Sequence, residues 1–196
     1  MIETAAAFSR YWFAMMFGTV VSVSFAGMPR TARNHLATGI FAVTVFAVQV
    51  ACLLSLGFDM TFKLYPFLCH LPIALFLVFY VKRSWLVSFA CVLASFLCCQ
   101  PPRWVGSFAG ALAGSASANH LGYIVAVCVM YPVLARYVSK SVRHLTQRSV
   151  RSCLLFGAMP AAYFLFDFAS TVYTDFLYNG SRAAVPFMPF VASAIY

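Results

Sequence analysis

The chain has 196 residues, of which 63% are hydrophobic and 9% are charged. Soluble domains carry roughly 25% charged residues, so most of this surface must face lipid or other membrane helices. The net charge of +9 would suggest nucleic acid as the partner of a soluble protein. Here most Lys and Arg side chains lie between apolar runs, where they set orientation and meet anionic headgroups. We therefore expect the partner to be the lipid bilayer and not nucleic acid.

Apolar runs of the kind that span membranes follow one another along the chain, since a span needs about 20 apolar residues. Six runs are distinct, at residues 11–25, 36–56, 65–81, 85–99, 120–137 and 153–173, and a seventh begins at Ala183. The predicted fold class is all-α, a polytopic membrane helix bundle of about six to seven transmembrane helices with a short re-entrant or interfacial helix. Residues 1–196 form a single domain, which we expect to be truncated within its last span.

The distribution of Lys and Arg predicts the orientation, because cytoplasmic loops are enriched in both residues. If every run crosses once and the N-terminus lies outside, nine of the 13 Lys and Arg residues share one side. These nine are Arg30, Arg33, Lys82, Arg83, Arg136, Lys140, Arg143, Arg148 and Arg151. We therefore expect their side to be cytoplasmic. The residues between 136 and 151 are predicted to be a solvated, lipid-facing helix end that prolongs the fifth run.

That partition requires the segment at residues 104–119 not to cross the membrane. The segment contains Gly106, Gly110 and Gly114 at four-residue spacing, which on a helix gives one smooth face that allows close backbone approach. Two interpretations stay open. One is a re-entrant or interfacial helix that shapes an outer pocket, and the other is ordinary helix packing.

Four polar or amphipathic residues are predicted to lie at similar depth near the outer face. Asp167 is the one acid deep in a span, and such acids usually face the bundle interior with a partner. His70 lies close to Pro72, which disturbs the helix ladder, and Trp104 and His120 flank the glycine-rich segment. We predict a ligand-binding outer cavity formed by these four residues. The alternative is that each of them is a separate structural feature.

Enzyme signatures are poor. The chain has no G-x-S-x-G, no H-E-x-x-H and no phosphate-binding glycine loop, and its four histidines are dispersed. We predict no cofactor and no metal. Seven cysteines lie mostly in apolar runs, where Cys behaves as a small hydrophobe. A peptide-processing membrane protease needs a Cys nucleophile beside a base, and neither Cys69 with His70 nor Cys128 with His120 makes a convincing dyad.

Three motifs stand out between residues 57 and 105: Leu64-Tyr65-Pro66 followed by His70-Leu71-Pro72, the hinge Lys82-Arg83, and the run from Cys98-Cys99 to Trp104. Together they resemble the N-terminal membrane sensor region of bacterial histidine kinases whose ATPase domain is of the GHKL type. Those kinases are related in layout to accessory-gene-regulator peptide receptors. The run from Val185 to Phe190 is similar to the start of that region's last span.

The resemblance implies a multi-pass sensor of the bacterial inner membrane. Such a region perceives an extracellular peptide or small molecule, or a membrane signal, and relays it through its last helix to a kinase that makes the full protein a homodimer. The kinases continue into a phospho-acceptor helix and an ATP-binding domain, whereas this chain stops at Tyr196. We therefore expect no catalytic activity of its own. Two alternatives stay open, a substrate-binding subunit of a vitamin importer and the membrane protease.

Overall fold

The computed structural model describes the backbone of residues 2–171 and the side chains of residues 12–57, 60, 61 and 63–166. Within these limits the protein is helical and contains no strand, which confirms the all-α class. The α-helices are α1 (Ile2–Phe25), α2 (Ala32–Lys63), α3 (Leu71–Phe79), α4 (Trp85–Leu97), α5 (Gln100–Ala113), α6 (Ala116–Val133), α7 (Ser139–Arg148) and α8 (Val150–Thr171). The predicted seventh span lies outside the described residues.

Three helical stretches are long and apolar enough to cross a membrane, namely Ala32–Gly57, Trp85–Ala113 and Ala116–Arg148. Shorter apolar helices cover Trp12–Phe25, Pro66–Phe79 and Val150–Phe166. The described part of the chain therefore supports membrane association through three helices. Large apolar side chains point away from the protein on these stretches, as for Leu54 of α2, which is 82% exposed.

Helix α1 is the centre of the bundle and contacts α2, α3, α4, α6 and α7. Met15, Val21 and Phe25 of α1 are buried, and they join the core formed by α3, α4 and α6. The hydroxyls of Thr19 and Ser22 donate to carbonyl oxygens one turn earlier in the same helix. These two buried hydroxyls are thereby satisfied without a partner on another helix.

Two short π-helical segments interrupt the α-helical pattern. The first, Pro66–His70, leads into α3, and the second, Leu134–Val138, joins α6 to α7. In each segment a backbone N–H donates to the carbonyl five residues earlier, from Leu71 to Pro66 and from Ser139 to Leu134. The helix ladder is therefore disturbed near His70, as predicted, in the segment that begins at Pro66. Such π turns are frequent at functional sites.

The fourth apolar run ends at residue 99, before Pro101-Pro102, but these two prolines do not stop the helical structure and instead lie at the start of α5. Both prolines occupy the first turn of this helix, where the missing N–H would have no intrahelical partner in any case. Helices α4 and α5 follow each other after a turn at Cys98-Cys99. Together they form one apolar helical stretch, Trp85–Ala113, that is long enough to cross a membrane.

The glycine-rich segment at 104–119 is not one short helix, as a re-entrant element would be. Gly114 adopts a left-handed conformation (φ 59°, ψ 27°) that ends α5, and α6 begins two residues later. The two helices form a tight hairpin: a Cβ on Gly106 would lie 2.7 Å from the carbonyl oxygen of Asn119. The small residues Gly106 and Gly110 thus allow α5 and α6 to pack closely. The chain reverses direction between these two helices, at Gly114.

Candidate functional site

Three basic segments of the chain meet at the end of α1. Arg83, which follows α3, donates from Nε to the carbonyl oxygen of Ala26 at 2.8 Å. Arg30, between α1 and α2, donates from Nη2 to the carbonyl oxygen of Ala135 at 3.1 Å. These contacts bring the segments around residues 30, 83 and 136 to the same end of the bundle, in agreement with the predicted Lys and Arg partition.

A cavity of about 860 Å³ opens at this end. Its lining comes from three parts of the chain. Helix α1 contributes Met16, Val20, Val23 and Ser24. The segment after α1 and the start of α2 contribute Gly27, Met28, Pro29, Arg30, His35, Thr38, Gly39 and Ala42. Helix α6, the second π segment and α7 contribute Tyr131, Ala135, Arg136, Ser139, Lys140 and Arg143. We call it the basic cavity. Its volume lies in the range of small-molecule sites, roughly 300–1,000 Å³.

Cationic side chains surround the basic cavity, and no carboxylate is among its described lining residues. Arg136, Lys140 and Arg143 are exposed and make no hydrogen bond or ion pair with any other described side chain. Their spacing of four and three residues places them on one helical face. A smaller cavity of about 390 Å³ adjoins them and shares Lys140 and Arg143. This face of the protein can therefore attract an anion.

The side chain of Arg143 packs against Gly27, where a larger residue would leave no space for it. Gly27 has a left-handed backbone (φ 73°), and a Cβ there would lie 2.7 Å from Nε of Arg143. The guanidinium consequently lies against the backbone that follows α1. The carbonyl oxygens of Ala26 and Gly27 accept the hydrogen bonds of Arg83. Two arginines from distant parts of the chain therefore contact the same two-residue stretch of backbone.

The interior of the basic cavity is apolar. Met16, Val20 and Val23 of α1 line it on one side, and Ala42 of α2 on another. The hydroxyl of Thr38 donates to the carbonyl oxygen of Asn34, which removes it as a free donor. At Gly39 a Cβ would meet no atom within 4 Å. The site thus combines a cationic rim with an apolar interior that still has space.

His70 of the predicted outer site is buried in a cluster of aromatic rings. Its ring centroid lies 4.2 Å from that of Phe96 on α4 and 5.1 Å from that of Phe164 on α8. Tyr65 packs edge-on at 5.3 Å. Among the described residues, Nε2 of His70 has no hydrogen-bond partner. The position of His70 is that of a packed residue at the π segment.

The other three residues of the predicted outer site lie on separate helices. Trp104 is on α5 and His120 on α6, the two helices of the tight hairpin. Asp167 belongs to α8, and its side chain lies outside the described residues. Of these four residues, the three with described side chains, His70, Trp104 and His120, do not line the basic cavity. The outer pocket therefore stays a prediction.

The cysteines and histidines of the described residues form no group that could hold a metal ion. Cys69 has the side chains of Tyr65 and Gln49 within hydrogen-bond reach, whereas the adjacent His70 faces aromatic rings. The two side chains are thus engaged with different neighbours. All seven cysteines are free thiols, including the vicinal pair Cys98-Cys99.

The basic cavity is not predicted from the sequence, because the pattern of residues 136–151 is that of a solvated helix end. The prolongation of the fifth run was right, since α6 continues through the π segment into α7. The spacing of Arg136, Lys140 and Arg143 was a signal that could have indicated one cationic face. Nothing local in the sequence indicated that this face and Gly39 of α2 line one cavity.

Comparisons of the chain with protein-family models, with characterised proteins and with solved structures found no match.

Proposed function

We propose that this chain is the multi-pass membrane sensor domain of a two-component histidine kinase in the bacterial inner membrane. In this proposal six helical units cross the bilayer within residues 2–171, a seventh crossing starts near Ala183, and the N-terminus lies outside. The basic cavity lies at the cytoplasmic surface. The domain itself has no catalytic activity and passes a signal to a kinase.

The convergence of the basic segments on the end of α1 is the observation that carries this orientation. Arg83 donates to the carbonyl of Ala26, Arg143 of α7 packs on Gly27, and Arg30 donates to the carbonyl of Ala135, so three distant parts of the chain meet at this end of the bundle. A cluster of this kind favours the cytoplasmic surface, where Lys and Arg are retained. Lys63, at the other end of α2 from Arg30, then lies on the outer side.

The connection from α7 to α8 supports a sensing function. Ser149 is extended (φ −156°, ψ 157°) and separates α7, a wall of the basic cavity, from α8. Helix α8 also packs on α4 and α7. A ligand that draws α7 toward α1 would therefore change the packing of α8, which leads into the last part of the chain. A small helix shift of this type is a common way to relay a signal.

One observation favours the alternative of a transport component. A cavity of about 860 Å³ with a polar rim and an apolar interior is of the size that holds a vitamin-like molecule. A substrate-binding importer subunit would also be multi-pass and basic toward the cytoplasm. Uptake of a labelled substrate that depends on the cavity residues, without any effect on a fused kinase, would favour this alternative.

The orientation is tested with reporter fusions after Arg33 and after Arg143. We expect both fusions to report a cytoplasmic location, and a fusion after Lys63 to report the outside. Opposite reports from Arg33 and Arg143 would mean that residues 104–119 cross the membrane separately, and the architecture proposed above would be wrong.

The sensing function is tested by joining the chain to a cytoplasmic kinase module and recording autophosphorylation in the host membrane. We expect a response to the signal that is lost in the Asp167→Asn and His70→Gln variants, if the predicted outer pocket perceives it. A responsive chimera that keeps its full response in both variants would contradict the outer pocket.

A further inference from the structure

We propose that the basic cavity binds one anionic phospholipid of the cytoplasmic leaflet, with its phosphate on the face of Arg136 and Lys140 and an acyl chain along the apolar interior toward Gly39. The inference rests on the proposed function in one respect, namely that the basic end of the bundle lies at a membrane surface. It adds a specific site and a ligand class to that proposal.

The cationic rim is suited to a phosphate. Arg136 and Lys140 are exposed, one turn apart, and have no partner among the described side chains, while Arg143 follows on the same face. A guanidinium can bind two phosphate oxygens with parallel N–H groups, and an ammonium adds a point charge. The neighbouring Arg30 is held by the carbonyl of Ala135, which fixes the rim.

The interior of the cavity favours a lipid over a free anion. A phosphate or a nucleotide phosphate needs the cationic rim and gains nothing from Met16, Val20 and Ala42 below it. An acyl chain covers this apolar surface, and the gain grows with every methylene that it buries. Gly39 lines the cavity, is exposed and has no atom within 4 Å of a Cβ position, so a chain can lie against this wall.

The outer walls of the cavity continue into the lipid-facing surface. Ile40 and Val43 of α2 are 60% and 62% exposed, and Val133 of α6 is 48% exposed. These apolar residues flank the two walls that carry Gly39 and Arg136. An acyl chain can thus enter from the side while its headgroup stays at the basic end, which a soluble ligand does not require.

The first test compares two variants with equal loss of charge. Arg136→Gln with Lys140→Gln removes cations of the cavity, whereas Arg33→Gln with Arg151→Gln removes exposed cations that do not line it. Arg143 is kept, because it packs on Gly27. The full chain is placed in nanodiscs of phosphatidylcholine, and binding of fluorescent phosphatidylglycerol is titrated at fixed salt.

We expect the cavity variant to weaken phosphatidylglycerol binding about tenfold, as expected for the loss of two phosphate contacts, and the surface variant to weaken it by less than about twofold. Equal weakening in both variants would show that only the general surface charge attracts the lipid, and the site would be refuted.

The second test uses Gly39 and separates a lipid from a free anion. Gly39→Leu places a large side chain on a wall of the cavity, and Gly39→Ala adds only one methyl group into open space. We expect Gly39→Leu to release the bound phosphatidylglycerol and Gly39→Ala to retain it, and millimolar glycerol phosphate to leave the lipid bound. Displacement by glycerol phosphate, with Gly39→Leu still binding the lipid, would show a site for a soluble anion and refute the proposal.

The two proposals fail in different ways. A chain that inserts with the predicted topology but holds no phosphatidylglycerol would refute the lipid site and leave the sensor proposal standing. A kinase chimera that never responds, together with specific lipid binding at the cavity, would refute the sensor and leave the lipid site standing.

Discussion

The guanidinium of Arg83 donates from Nε to the carbonyl oxygen of Ala26, 2.8 Å away, although 57 residues separate the two. Its Nη2 reaches the carbonyl oxygen of Gly27 at 3.4 Å. Both carbonyls lie just beyond the C-terminal end of α1, where helix carbonyls lack intrahelical partners and a cation is favourable. This one side chain fixes the start of α4 to the central helix.

Replacement of Arg83 by lysine should therefore lower stability, although the charge is retained. Lysine has no planar fork and cannot bind both carbonyls at once. We expect a loss of about 1–2 kcal/mol, from one charged hydrogen bond that is not replaced. The melting temperature of the purified chain in one detergent measures it. Arg33→Lys is the control, since Arg33 is exposed, and an equal decrease in both variants would contradict the role of Arg83.

Lys82 provides a test of backbone strain. It is exposed and has a left-handed backbone (φ 61°), which costs a non-glycine residue about 1–2 kcal/mol. We expect Lys82→Gly to raise the melting temperature, because glycine adopts this conformation freely. Lys82→Ala removes the same charge and keeps the strain. A rise in the alanine variant as large as in the glycine variant would show that charge, and not conformation, is responsible.

Two glycines should respond to alanine in opposite directions. At Gly106 the added methyl group would lie 2.7 Å from the carbonyl oxygen of Asn119, so that α5 and α6 must separate. We expect Gly106→Ala to cost about 1–3 kcal/mol, the usual range for overpacking.

At Gly39 the same methyl group meets open space. We expect Gly39→Ala to stabilise α2 by up to about 1 kcal/mol through helix propensity. Thermal unfolding of both variants in the same detergent gives the comparison. If Gly106→Ala is as stable as Gly39→Ala, the close approach of α5 and α6 is wrong.

His70 can be exchanged for phenylalanine without loss of its ring contacts. The ring lies among Phe96, Phe164 and Tyr65, and Nε2 has no partner among the described residues. A buried polar group without a partner costs about 1–3 kcal/mol. We therefore expect His70→Phe to be at least as stable as the parent chain in a melting experiment. A marked decrease would indicate that Nε2 has a partner, which would favour a polar pocket at this position.

Local sequence patterns were sufficient for the helices and for the position of the basic segments. The apolar runs at residues 85–99 and 36–56 correspond to α4 and to most of α2, because hydropathy depends on residues within one helix. The structural role of the prolines could not be predicted from local sequence patterns. Pro101 and Pro102 are allowed at the end of one helix and in the first turn of the next, and only the structure shows the second.

The composition and the order of apolar and basic segments predicted the helical structure of residues 2–171, their apolar surface and their basic end. The tertiary structure alone decided where the cavity lies. Arg30 meets Ala135 across 105 residues, and Gly39 of α2 and Arg136 line the same cavity. Contacts between such distant residues leave no periodic signal in the sequence, because they depend on how whole helices pack against α1.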